Sequence, residues 1–279
     1  MINKGKRQFI NNLMIGLSYL MSFIGIGVLL WILYDIIPRG IGGLNWDLLT
    51  KLPTPPGEPG GGVANAIVGT IELTLLGLLF SAPVGILAGI FIYEYRFTRL
   101  ATLVRLLAET LASVPSIIVG VFVYGFIVVN MHTFSLLAGS IALAVIMIPI
   151  ITKTTEDIML TVDPLVKEAA IGLGLRYWQV VIKVVMMSVL SGIMVGIVLA
   201  SARAAGETAP LLFTSFYNNY WSTALNEPIA SVPVTIFNYA LSPYDDWHAK
   251  AWAAVFLLIL FIVALKICLD TLTIIMKKK

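Results

Sequence analysis

Two full charges stand four residues apart in a stretch that is otherwise apolar. The run SARAAGETAPLLF, Ser201 to Phe213, carries Arg203 and Glu207. In a helix rising about 1.5 Å per residue they lie about 6 Å apart along the axis, on one face, where they can pair. A guanidinium stays protonated and offers a planar fork of donors suited to the oxygens of an oxyanion. A carboxylate beside it stabilises the empty site and limits how tightly an anion is held, which a passage requires if the solute is to leave. The competing reading is an ion pair that fixes this segment against a neighbour, although desolvation offsets much of what such pairs contribute. Both readings stay open.

The remaining reactive side chains are dispersed. Arg105/Glu109 and Lys266/Asp270 repeat the spacing of four near the ends of apolar runs, where snorkelling ion pairs explain them. Glu72 lies between Thr70 and Thr74 and suits either a cap or a pathway. His132, His248 and Cys268 are far apart, so no metal site is expected. A single cysteine forms no intrachain disulfide. The phosphate-binding pattern G-x-x-x-x-G-K-[ST] is absent, as is a nucleophile with a base in reach. No basic patch interleaved with aromatics points to nucleic acid. The expectation is a chain with no catalytic residue, no metal and no cofactor of its own.

The elements that must hold Arg203 and Glu207 belong in lipid. Of 279 residues, 59% are hydrophobic and 12% charged, against about half and a quarter in a soluble domain. Six apolar segments approach the roughly 20 residues that cross a bilayer: 12–34, 66–94, 106–129, 135–152, 184–210 and 251–275. Lys4, Lys6, Arg7, Arg96, Arg99, Arg105, Lys153, Lys167, Arg176, Lys183 and Lys277–Lys279 fall on one side of this arrangement. Both termini are therefore read as cytoplasmic. Residues 1–34 form the N-terminus and an uncleaved first span, and 35–65 an outer segment whose TPPGEPGGG (Thr54–Gly62) excludes helix. Residues 66–275 form the membrane domain, with a cytoplasmic loop at 153–183, and 276–279 a cytoplasmic tail. Pro115 in ASVPSIIVG marks a kink. Ser188, Gly192, Gly196, Ala200 and Ala204, and likewise Gly85 and Gly89, recur every four residues and permit close helix packing.

The cytoplasmic loop is patterned beyond a connector. In VDPLVKEAAIGLGLRYWQVV, Val162 to Val181, Asp163 is placed to cap a helix that Pro164 begins. Leu165, Val166, Ala169, Ala170 and Leu173 form an apolar stripe, and Gly172 and Gly174 end the helix. Such a short amphipathic helix lies on lipid or inserts into a groove on a partner protein.

Glu168-Ala169-Ala170, followed by Gly174, resembles the EAA loop of ABC-importer permeases. The proline usual downstream in that family is missing, its position reading Val184-Val185-Met186-Met187. TPPGEPGGGVANAI, SVPSIIVGVFVYG, IPIITKTTEDIM, ARAAGETAPLLFT and PIASVPVTIFNYALSP are together similar to the A-type permeases of bacterial phosphate-specific ABC transporters. The resemblance implies an all-α, six-span permease of the type I importer fold, in the bacterial inner membrane. It further implies a second related permease, two copies of a cytoplasmic ATPase that binds ATP and Mg, and an outer phosphate-binding protein. Asp163, Glu168, Ala169, Ala170 and Gly174 would then contact the ATPase, and Arg203 and Glu207 would line the path of inorganic phosphate. Sulfate or molybdate would equally suit an arginine. An ion-coupled carrier could use the same two charges but has no need of a docking helix.

Overall fold

The computed structural model describes the backbone of residues 4–58 and 60–277, and side chains through 267 and at 271. Helix is the only regular secondary structure among the described residues, with no strand. The elements are α1 (Lys4–Gly43), α2 (Trp46–Thr50), α3 (Ala64–Glu94), α4 (Arg99–Ser113), α5 (Ser116–Met131) and α6 (Leu136–Met159). They continue with α7 (Pro164–Gly172), α8 (Tyr177–Ser188), α9 (Leu190–Ala205), α10 (Ala209–Thr214), α11 (Val232–Ala240) and α12 (Asp245–Lys277). Among the described residues four helices, α1, α3, α6 and α12, are long and apolar enough to cross a membrane unaided. Six crossings result when α4–α5 and α8–α9 each count as one bent span.

Small residues set the centre of the bundle. A methyl placed on Gly85 of α3 would stand 2.8 Å from Ile151 Cβ of α6, and one on Gly89 would stand 2.6 Å from Thr155 Cβ. The two backbones therefore approach closely, as helices do in lipid, where packing rather than water expulsion drives association. Leu73, Leu143, Met147 and Ile151 fill the space around this seam, and Ile193 and Ile197 of α9 close it. A second apolar cluster, at the outer end, gathers Leu48, Val63, Val232, Tyr239 and Ala253. Burial pushes the Tyr239 hydroxyl's pKa well above its ordinary value.

Several expectations are corrected. The first helix does not stop at 34; it runs through Pro38 to Gly43, with Asp35 and Arg39 paired at 2.7 Å along it. The third segment is no continuous helix. The chain turns by 101° across Val114–Pro115, so Pro115 begins a new direction rather than kinking an existing one. The fifth turns by 69° between Ser188 and Leu190, after a π-helical stretch at Val180–Val185. That bend lies two residues beyond the Val184–Met187 stretch that lacks the family's proline, and it removes Ser188 from the small-residue ribbon. The Thr54–Gly62 stretch is non-helical where it is described, as expected, and it is tied down. The Thr54 hydroxyl donates to Gly60 O at 3.1 Å, and Gly57 N–H donates to Asp246 Oδ2 at 3.2 Å.

Candidate functional site

Arg203 and Glu207 lie on either side of a break. α9 ends at Ala205, and α10 begins at Ala209 with Pro210 in its first turn. The two are thus not stacked on one continuous helix. Arg203 Nε is 3.9 Å from Glu207 Oε1, at the outer limit of an ion pair, and the side chains are 58% and 17% exposed. The break has an electrostatic logic. Arg203 occupies the last turn of α9, where the partial negative charge of the helix end favours a cation. Glu207 precedes the N-terminus of α10, where partial positive charge favours an anion. Discontinuous helices of this kind place charges at the binding sites of membrane transporters.

The elements around the break hold it in place. A methyl on Gly120 of α5 would stand 2.6 Å from Pro210 Cα, so α10 rests directly on α5. Beyond α10 the chain caps the outer end of α6: Ser135 N–H donates to Thr214 O, Leu136 N–H to Glu227 O and Leu137 N–H to Leu225 O. On α9 itself, Gly196 faces Thr154 and Gly192 faces Ile158, both on α6, while Ala200 and Ala204 are fully buried. The adjoining face presents Val195, Leu199 and Arg203, all exposed and spaced by four.

At the cytoplasmic end the 163–174 segment takes the predicted helical form. The Asp163 carboxylate accepts from Leu165 N–H at 2.9 Å. Gly174 has φ +84°, the left-handed conformation that glycine adopts freely after a helix. The predicted stripe divides, however. Ala170 is buried against Met159, Val180, Val181 and Val185, whereas Leu165, Val166, Leu173 and also Ile171 are exposed. Glu168 and Ala169 are exposed with them.

Sequence reasoning missed two clusters. Lys167 Nζ donates to both Glu94 oxygens, at 2.8 and 2.9 Å, and to Tyr177 Oη at 2.9 Å. Tyr177 in turn donates to Glu94. Burial works against the Lys167 charge, but its bonds to Glu94 and Tyr177 outweigh this and hold its pKa above the ordinary lysine value. The second cluster joins Arg105 to Glu156, not to Glu109 as the spacing of four suggests. Glu72 lies more than two turns inside α3, so it caps nothing, and its Oε2 is buried with no hydrogen-bond partner. His132 takes the left-handed conformation after α5, and His248 Nε2 lies 2.7 Å from Ser242 O. The side chains of Cys268 and Asp270, and so the Lys266/Asp270 pairing, lie outside the described residues.

A buried small-residue seam, a charged break in one span and an exposed amphipathic helix between the fourth and fifth spans together define a transport permease. The chain belongs to the family of binding-protein-dependent transport system inner membrane components, which matches residues 81–278. It is a multi-pass, non-catalytic subunit, with ATP hydrolysis assigned to a separate protein. It is 44% identical over 262 residues to the phosphate transport system permease protein PstA of Haemophilus influenzae, covering 94% of this chain and 93% of that one. The PstA of Yersinia pestis is 44% identical over 258 residues, 92% of this chain and 88% of its own. A probable PstA of Methanocaldococcus jannaschii is 37% identical over 245 residues, 87% and 86%. In fold it is similar to a chain of the MetNI methionine ABC transporter in an inward-facing conformation, with a TM-score of 0.66 at 19% identity over 77% of this chain and 95% of that one. It is likewise similar in fold to a chain of a bacterial ABC transporter that imports alginate, with a TM-score of 0.62 at 15% identity over 96% and 98%.

Proposed function

We propose that this chain is the permease subunit that carries inorganic phosphate inward across the bacterial plasma membrane. In this reading it pairs with a second, related permease and with two copies of a cytoplasmic ATPase, and receives its solute from an outer phosphate-binding protein. One observation carries the proposal: a guanidinium, steadied by a helix end, sits on an exposed face of α9 in a chain whose relatives are named phosphate permeases. Arginine within an apolar segment turns to a protein interior or a watery cavity, not to lipid. The face of Val195, Leu199 and Arg203 is therefore where the second permease and the pathway between the two belong. The break supplies what a transient anion site needs, a forked donor opposed by a loosely placed carboxylate.

Energy enters at the other end. The exposed Leu165, Val166 and Leu173 form the apolar side of a helix suited to a groove on the ATPase. An ion-coupled carrier, or a permease for sulfate or molybdate, is the alternative. Reconstitution of the assembled complex with competing anions decides among them. Phosphate uptake that requires ATP, is blocked by unlabelled phosphate and resists sulfate and molybdate supports the proposal. Uptake by this chain alone, or uptake that sulfate or molybdate displaces, overturns it.

A further inference from the structure

The buried carboxylate of Glu94 joins three elements that sequence alone keeps apart. Glu94 is the last residue of α3, and its side chain is 5% exposed. Lys167, from the middle of α7, places its ammonium on both carboxylate oxygens. Tyr177, the first residue of α8, donates its hydroxyl to the same group and accepts from Lys167. The ammonium also lies 4.7 Å from the centroid of the Tyr177 ring and 5.4 Å from that of Tyr93, close enough for both rings to add to its attraction. The apolar anchorage of α7 is different in kind: Ala170 packs on the α8 residues Val180, Val181 and Val185.

We infer that Glu94 is a positioning residue through which displacement of the docking helix α7 is delivered into the second span. The inference rests on the proposed function, in which a nucleotide-driven partner moves α7. Three properties fit the role. The ion pair is shielded, so removing one partner leaves a charge uncompensated rather than simply rehydrated. Its bonds are directional and charge-assisted, which fixes α7 relative to α3 more tightly than a sliding apolar contact. The element that receives the displacement is stiff, because α3 is locked to α6 at Gly85 and Gly89 a few residues upstream. A shift of α7 therefore reaches α6 without dissipating in loose side chains.

The test uses the assembled complex in proteoliposomes with inorganic phosphate as solute, together with amide hydrogen exchange of residues 164–172. Glu94→Gln keeps the size and removes the charge. The expected result is that the ATPase still co-purifies, exchange in α7 quickens, and phosphate moved per ATP falls roughly tenfold, within the usual range of coupling between sites. Glu94→Lys combined with Lys167→Glu rebuilds the pair in reverse and restores both readings. Tyr177→Phe keeps the pair, loses one donor and shifts both in the same direction by less. Unchanged exchange and an unchanged ratio in Glu94→Gln overturn the inference, as does a reversed pair that assembles but restores neither. A wild-type complex that hydrolyses ATP without moving phosphate would instead overturn the anion reading. The exchange comparison would then still decide the role of Glu94.

Discussion

Arg105 of α4 reaches across to Glu156 of α6, placing Nη2 at 2.6 Å and Nε at 3.0 Å from the same carboxylate oxygen. The carboxylate is 4% exposed, and Lys153 Nζ stands 3.6 Å from its other oxygen. The pair ties the third span to the fourth beside a cavity of about 100 Å³, which Ala108, Ala112 and Pro149 also line.

Arg105→Met should therefore strand Glu156 and lower the unfolding free energy by roughly 3–5 kcal/mol, whereas Arg105→Met with Glu156→Leu should lie within about 2 kcal/mol of wild type. Thermal denaturation in detergent measures both. A single variant as stable as the double would show that the pair is not desolvated.

The glycines of the bundle should rank by what surrounds them. A methyl on Gly69 meets the backbone carbonyl of Ala230, and one on Gly196 would stand closer to Thr154 Cγ2 than the 2.8 Å at which one on Gly192 would stand from Ile158 Cγ2, while Gly125 faces open space. Alanine at Gly69 should be the most destabilising, followed by Gly196, both near the roughly 1–3 kcal/mol typical of overpacking. Gly192 should cost less and Gly125 almost nothing. The order of melting temperatures checks the series.

Arg203→Gln should bring phosphate uptake to background while subunit association persists. Arg203→Lys keeps the charge without the fork and should give an intermediate rate. Glu207→Gln should act in the opposite sense on affinity, lowering the half-saturating phosphate concentration and the maximal rate together, because the anion is then held without opposition. Initial uptake rates across a phosphate series read all three. Normal transport by Arg203→Gln would remove this residue from the pathway.

Glu168 is exposed and Gly174 has open space around it. Glu168→Ala should leave the melting temperature unchanged but weaken ATPase attachment. Gly174→Ala forces φ +84° on a residue with a Cβ, at about 1–2 kcal/mol, and should misdirect the end of α7. Gly174→Asn should be milder. Co-purification of the ATPase separates these effects from folding.

The Lys167 attachment has a defined pH behaviour. A group whose pKa is raised in the folded protein contributes in full below its unfolded value, and that contribution fades as pH rises through the folded value. Its ordinary value is 10.5 and the shift is upward. Exchange in α7, corrected for the intrinsic rate, should therefore be flat from about pH 7 to 9. A marked loosening inside that window would mean that Lys167 is not held as an ion.

Local signals were the most legible. Asp163-Pro164 and Gly174 announced both ends of α7, because caps and left-handed exits are written within a few residues. Gly192 and Gly196 announced a close approach, although not that α6 would fill it. Pro115 announced a disturbance, but a proline does not reveal that the chain will turn by 101°. The turn after Ser188 falls at Val189, with neither proline nor glycine at the bend, and so leaves no compositional mark. The helices α10 and α11 are shorter than a membrane span and leave no long apolar run, yet each begins at a Ser or Thr followed two residues later by proline. The Glu94–Lys167 and Arg105–Glu156 pairs span 73 and 51 positions. Their charges stood in plain view, but a rule built on a spacing of four assigned Arg105 the wrong partner. At Arg203 and Glu207 the spacing was right and the local structure was not, since the helix ends between them.

Among the described residues the first helix meets the body at its outer end, where Gly40 lies against Phe256 and Gly43 against Ala253; its side chains from Lys4 to Ile32 are exposed. The subunit thus holds out a long apolar helix, anchored at its outer end and with its exposed side chains open to lipid or to a neighbouring protein. That exposed length is a surface separate from the α9 face of Val195, Leu199 and Arg203, so a neighbour lying along it would leave that face free.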